Sequence, residues 1–191
     1  MTELDSWHAQ VSEEIIEPER PIIDPHHHLW RRGTPYELDD LWVDTKDGHN
    51  ITGTVFIECG AEYRADGPAA LRPVGETEYV VAQAKQARKG KAPGKPPILG
   101  IVSHADLTLG AAVVDVLEAH QESAEGLLRG IRHSTAFYPD PPAVDRYAGR
   151  VAELMLQPSF REGFAQLSSA GLSYDAWLLH TQITELTIPR I

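Results

Sequence analysis

Short apolar runs alternate with longer amphipathic stretches along most of the chain. The runs are rich in β-branched residues and are bounded by Gly, Pro or Asp, which is typical of buried strands. Five of them begin near Ile22, Thr54, Ile98, Leu127 and Ser173. Because a parallel neighbour requires a crossover, strands that alternate with helices indicate βαβ units and a parallel sheet. Five such units form either an open α/β sheet or the first part of a closed barrel, and the pattern leaves both open.

The stretches between the runs predict helices over residues 75–90, 108–123 and 151–172, where apolar positions recur at helical spacing. Residues 1–20 are polar and end at prolines, so we interpret them as an N-terminal arm before a single domain over residues 21–191. The arm lacks the basic and then apolar pattern of a signal peptide.

Charge and cysteine content narrow the class of protein. The formal net charge is -11 over 191 residues, which argues against nucleic acid or an anionic membrane as partners. A small anionic substrate requires only a local basic site and stays compatible with this charge. The single cysteine, Cys59, rules out an intrachain disulfide framework, and no apolar run approaches the roughly 18 residues of a membrane span. These features predict a cytoplasmic protein.

The segment PIIDPHHHLW, from Pro21 to Trp30, carries the main candidate site. Side chains of a strand alternate between its two faces, so Asp24, His26 and His28 should share one face and His27 the other. Two imidazoles at the carboxyl end of a parallel strand can converge on a divalent metal ion. An arbitrary HxH pair serves equally well for packing at a strand end. The preceding aspartate and the strand context favour metal ligands here.

Further candidates lie at the ends of the other predicted strands. His180 ends the fifth, where it would bind metal or act as a general acid or base, although a lone histidine is more commonly a surface or core residue. Arg132 and His133 end the fourth strand and Glu58 the second, and we assign all three to substrate binding. An arginine in this position equally suits a substrate carboxylate or an ion pair with a neighbouring acid. A carboxylate at the position of Glu58 also suits metal binding or the orientation of a histidine. Cys59 fits a small buried side chain better than a nucleophile.

IIDPHHHLW resembles the first-strand signature of the amidohydrolase superfamily. The branch it is most similar to comprises predicted metal-dependent TIM-barrel hydrolases and includes 2-pyrone-4,6-dicarboxylate lactonase. The resemblance continues through VFIECGAEYRADGP, GIVSHADL, RGIRHSTAFYPDP and LSYDAWLLHTQITEL, and so covers residues 20 to 186 in order. It implies a (β/α)8 barrel that hydrolyses a lactone, amide or similar bond of a small carboxylated substrate, or that decarboxylates it, as sister groups do.

The resemblance also implies roles for individual residues. His26 and His28 match the first-strand histidine pair, His180 matches the fifth-strand histidine, and Arg132 lies where the lactonase group binds a substrate carboxylate. In relatives that use a metal, zinc or manganese polarises the scissile carbonyl and activates water. Other members of the branch work without metal, so a metal-free site stays open. The fourth strand offers no lysine for a carbamate bridge, so a two-metal site is not expected.

The chain departs from the family in length. A complete barrel of this type has about 250 residues, whereas 191 residues accommodate about the first five βα units. The aspartate that the family places after strand eight has no counterpart. We therefore expect a partial TIM barrel with exposed strand edges that a homo-oligomer would cover. Three functions stay open: a hydrolase, a non-catalytic remnant or assembly partner of one, and a small metal-binding protein that uses the HHH run alone.

Overall fold

The computed structural model describes residues 3–11, 13–89, 94–138 and 150–187. Its centre is a five-stranded parallel sheet in which every strand pairs with the next strand along the chain. The strands are β1 (Pro21–His27), β2 (Asn50–Ile57), β3 (Ile98–Ser103), β4 (Leu128–Ile131) and β5 (Ser173–Tyr174). The sheet curls into half a barrel, so the predicted partial (β/α)8 fold is confirmed.

Helices lie between the successive strands of this sheet. The α-helices are α1 (Glu3–His8), α2 (Leu38–Asp44), α3 (Val74–Lys89), α4 (Val113–Ser123), α5 (Pro158–Ser169) and α6 (Ile183–Leu186). Short 3-10 helices occupy Ala69–Leu71, Leu107–Ala112, Leu154–Leu156 and His180–Gln182. In the part of the chain that the structure describes, no helix is long and apolar enough to cross a bilayer.

Two hydrophobic clusters join the helices to the sheet. The first packs β2, β3 and Leu29, which follows β1, against α2 and α3. It includes Phe56, Ile98 and Ile101, each fully buried. The second lies around α4 and α5 and includes Ile131 and Phe160. Burial of this apolar surface is the main favourable term in forming the half-barrel.

Several predicted elements differ from the observed ones for local reasons. Gly110 has φ 61° and ψ -140°, so the helix predicted from residue 108 begins as a 3-10 turn and becomes α-helical only at Val113. The helix predicted over residues 151–172 begins as an α-helix at Pro158, a residue that favours the first turn.

The predicted fifth strand over residues 173–180 was wrong in length, because β5 comprises only Ser173 and Tyr174. Its partner β4 is four residues long, and beyond it the backbone N–H of Asp175 still donates to Ile131 O at 3.0 Å. The chain then turns toward the loop after β4, where Thr135 N–H donates to Trp177 O at 3.0 Å. His180 therefore does not end a strand but begins a 3-10 helix.

The buried and exposed isoleucines predict a clear contrast in stability. Ile101 is 0% exposed and Ile16 is 94% exposed. We expect Ile101→Ala to lower the free energy of unfolding by about 2–5 kcal/mol, because it leaves a cavity in the core. The control Ile16→Ala should stay within about 0.5 kcal/mol of the unsubstituted protein. Urea unfolding followed by circular dichroism measures both, and equal losses would contradict the assigned core.

Candidate active site

His26 and His28 meet at the carboxyl end of β1. Their Nε2 atoms are 3.3 Å apart, and Nδ1 of His28 lies 2.7 Å from the carbonyl oxygen of Ile57 in β2. Because a carbonyl only accepts hydrogen bonds, Nδ1 of His28 carries the proton, and the lone pair of a neutral His28 ring is on Nε2. The backbone N–H of His26 donates to Asp24 Oδ1 at 3.0 Å, which fixes the local chain direction. The predicted convergence of the two imidazoles is thus present in the structure.

The surroundings of His26 favour its neutral form. Burial lowers the pKa of His26, and the charges of His28 and Arg132 lower it further. The carboxylates of Asp175 and Asp24 act in the opposite direction and are outweighed. A neutral imidazole is the form that binds a metal ion.

The spacing of the two Nε2 atoms fits a shared metal ion. Two ligands at about 2.0–2.1 Å from a tetrahedral ion lie about 3.3 Å from each other, which matches the 3.3 Å between these nitrogens. Within residues 3–11, 13–89, 94–138 and 150–187, no group of three or more His, Cys, Asp or Glu could hold a metal ion. The exposed His180 thus does not complete such a group in this arrangement, and its role as a ligand stays a prediction.

His27 lies apart from this pair, as the alternation of a strand predicts. Its ring packs edge-to-face against Phe56 with centroids 5.8 Å apart, and the residue is 6% exposed. Neither ring nitrogen makes a hydrogen bond of normal geometry to any described residue. Burial lowers the pKa of His27 to about 4, so this histidine is a neutral core residue at neutral pH.

Arg132 connects three strands at the same edge of the sheet. Its Nε donates to Glu58 Oε1 at 2.8 Å, and its Nη2 donates to the backbone oxygen of Glu58 after β2. Its backbone N–H donates to Ser103 O in β3 at 2.8 Å. The side chains of Arg132 and Glu58 are only 11% and 13% exposed. The ion pair that the sequence left open is therefore formed, and these contacts engage Nε and Nη2 but not Nη1.

One tryptophan and one histidine also contact Arg132. The guanidinium lies 5.5 Å from the ring centroid of Trp177, close enough for a cation–π contact. His104 donates from Nδ1 to the backbone oxygen of Arg132 at 3.0 Å. Sequence reasoning assigned no role to either residue, and only their positions after β3 and β5 could have suggested one.

His133 is bound to the loop that follows β3. Its Nδ1 accepts from the backbone N–H of Leu107 at 3.1 Å, and burial, together with the charge of His104, lowers its pKa to about 4. His133 is thus neutral and has a structural contact. Its predicted part in substrate binding stays a prediction.

Glu76 is a buried acid that sequence reasoning missed. It lies in the first turn of α3, is 2% exposed, and its Oε1 accepts from the backbone N–H groups of Cys59 at 3.0 Å and Ala61 at 2.7 Å. Burial raises the pKa of Glu76 to about 7. Burial, followed by the charge of Glu76, also raises the pKa of the Cys59 thiol to about 12, which agrees with the interpretation that Cys59 is not a nucleophile.

Comparisons with known proteins relate this chain to a solved fold. No family model matches the chain. A crystal structure of an amidohydrolase from Burkholderia multivorans superposes with a TM-score of 0.55 at 20% identity, over 86% of this chain and 50% of that one. This likeness establishes a shared fold at the level of the half-barrel.

A curated relative gives a second match. The uncharacterized protein y4mH of Sinorhizobium fredii (strain NBRC 101917 / NGR234) is 29% identical in an alignment of length 187 that covers 86% of this chain and 56% of the relative. The chain therefore spans about half the length of both proteins that it resembles.

His27 predicts a specific loss of stability in acid. Burial lowers its pKa from the ordinary histidine value of 6.5 to about 4 in the folded protein, so folding favours the neutral ring. The stability that His27 contributes is present above pH 6.5 and is lost as the pH falls toward 4, by up to about 3 kcal/mol.

His27→Phe should therefore gain stability relative to the unsubstituted protein as the pH falls through this range. The exposed His49→Phe control should follow the unsubstituted protein throughout. Urea unfolding at several pH values tests this, and curves for His27→Phe that run parallel to those of the unsubstituted protein would refute it.

Proposed function

We propose that this chain provides the metal-binding half of an amidohydrolase-type hydrolase that acts on a lactone, amide or similar bond of a small carboxylated substrate. The observation that carries the proposal is the 3.3 Å approach of His26 Nε2 and His28 Nε2. Their location at the carboxyl edge of a parallel half-barrel supports it, because active sites of barrel enzymes form at that edge. A fold shared with a solved amidohydrolase gives further support.

His26 and His28 would supply two imidazole ligands to zinc or manganese, and His180 would supply a third or act as a general acid or base. Bound there, such an ion would polarise the scissile carbonyl and activate water. The hydrogen bond from His28 Nδ1 to Ile57 O supports this role, because it places the proton on Nδ1 and leaves Nε2, which lies 3.3 Å from His26 Nε2, unprotonated. A metal-free variant, in which the histidines themselves assist attack by water, uses the same residues.

Arg132 would bind the substrate carboxylate. Glu58 holds Nε and Nη2 of the guanidinium, so Nη1 is the group left to face a ligand. Low exposure strengthens a charge-assisted hydrogen bond there, because little water competes for the charged groups. In this scheme Glu58 contributes to substrate binding by orienting Arg132.

A non-catalytic assembly partner of such a hydrolase is the alternative function. It is favoured by the absence of a group of three potential metal ligands among the residues that the structure describes. The two matched proteins are about twice as long as this chain. A hydrolase activity of this chain alone is therefore a proposal. Metal content and turnover separate the two functions.

Metal analysis tests the lead proposal. Protein purified without a histidine tag or metal column should contain near-stoichiometric zinc or manganese, and His26→Ala and His28→Ala should each abolish it, because one imidazole alone binds weakly. His180→Ala shows whether the third ligand is His180. The exposed His49→Ala control should keep the metal. Metal-loaded protein should hydrolyse carboxylated lactones, and a protein with neither metal nor turnover would favour the assembly partner.

We also propose that a second copy of the chain covers the open side of the sheet. β1 and β5 each pair on one side only among the described strands, and Ile23 in β1 is 54% exposed. Unpaired edges and exposed apolar side chains favour association.

Sedimentation velocity should accordingly show a dimer or larger species. Ile23→Lys should shift it toward the monomer, whereas Ile16→Lys, in the N-terminal arm, should not. A stable monomer of the unsubstituted protein would count against self-association.

A further inference from the structure

Glu76 is a buried acid that takes no part in the proposed chemistry. It is 2% exposed, and a carboxyl group is rarely buried to this degree without a specific partner. Its Oε1 accepts two backbone N–H groups, whereas Oε2 is buried without a hydrogen-bond partner among the described residues. A buried acid that is only partly satisfied is costly to the fold, which points to a role beyond packing.

The two donors to Glu76 belong to the turn that follows β2. Cys59 and Ala61 flank Gly60, which has φ 73°, in the left-handed region that favours glycine. Glu58 directly precedes this turn, and its own N–H donates to Val102 O in β3 at 2.9 Å. Glu76 Oε1 thus holds the turn from one side while β3 holds Glu58 from the other.

Glu58 in turn determines where the guanidinium of Arg132 lies. It offers Arg132 both Oε1, at 2.8 Å from Nε, and its backbone oxygen. A shift of the turn would move both acceptors together, because the backbone oxygen belongs to the peptide link that leads into Cys59. Arg132 therefore depends on Glu76 through two successive sets of hydrogen bonds.

We propose that Glu76 is a positioning residue that fixes Glu58 and thereby aims Arg132 at the substrate carboxylate, an inference that rests on the proposed function of Arg132. Glu76 itself touches neither substrate nor metal in this scheme. It affects the orientation of the Arg132 guanidinium indirectly, through the turn after β2 and through Glu58.

The ionisation of Glu76 should make this positioning depend on pH. Burial raises the pKa of Glu76 to about 7, the backbone bonds from Cys59 and Ala61 lower it, and the carboxylate of Glu58 raises it. Burial, and after it the charge of Glu76, raises the pKa of Tyr63, which also lies in the loop after β2. An ionised acceptor makes stronger hydrogen bonds than a neutral one, so the turn is held more tightly above pH 7 than below it.

Nuclear magnetic resonance can follow each link of this chain separately. The backbone amides of Cys59 and Ala61 and the Nε–H of Arg132 would be recorded from about two pH units below to about two above the pKa near 7. All three signals should titrate with one common midpoint. Glu76→Gln should remove that midpoint but keep the three signals, because the amide oxygen still accepts both bonds. Glu78→Gln, on the same helix and paired with Arg64 at the surface, should retain it.

Benzoate, a simple carboxylate probe, gives the functional readout. Glu76→Ala should weaken the binding of benzoate about threefold to tenfold, because a misplaced Arg132 would lose one hydrogen bond of ordinary strength to the carboxylate. Glu76→Gln should bind benzoate as the unsubstituted protein does. An Arg132 Nε–H signal that does not follow the two amides would overturn the positioning role, whatever happens to benzoate. If the signal follows but benzoate does not bind to the unsubstituted protein, the carboxylate role of Arg132 fails and the positioning by Glu76 stands.

Discussion

Five strands run in the same direction in one sheet, so the residues that follow each of them emerge at a single edge. This parallel arrangement brings together side chains that are far apart in the sequence, such as His28, Glu58 and Arg132. Arg132 reinforces the arrangement, because its backbone bonds to β3 and its side chain to the residue after β2. The candidate site therefore depends on strand pairing first and on individual side chains second.

The three consecutive histidines at the end of β1 have different roles, because neighbouring side chains of a strand point to opposite faces. His27 is buried against Phe56, whereas His26 and His28 bring their Nε2 atoms within 3.3 Å of each other. The bond between His28 and Ile57 O links β1 to β2 and sets the ring orientation at the same time. A site built on strand ends is held more precisely than one built on loops alone, since the strands are themselves packed.

Features that depend on local pattern were predictable from the sequence. The first four strands, α3 and the convergence of His26 with His28 follow from apolar periodicity and from the alternation of a strand. The end of β5 was not predictable, because a short β4 and a bond between Thr135 and Trp177 decide where the pairing stops. For the same reason the prediction that His180 ends the fifth strand was wrong.

Side-chain contacts that depend on tertiary packing were also not predictable from the sequence. Arg132 had two equal interpretations, and only the fold brings Glu58, 74 residues away, within 2.8 Å of its Nε. Glu76 stands at the start of a helix, where acids are common, and the sequence does not distinguish it from an exposed acid. Its burial against the turn after β2 depends on how α3 packs on the sheet, which local sequence patterns do not determine.

Long-range proton–nitrogen spectra of the histidine rings test the central claim most directly. The account predicts that His28 is protonated on Nδ1 in the metal-free protein, and that added zinc shifts the Nε2 signals of His26 and His28 together. A His28 ring protonated on Nε2, or Nε2 signals that do not respond to zinc, would contradict a metal site at this edge of the sheet.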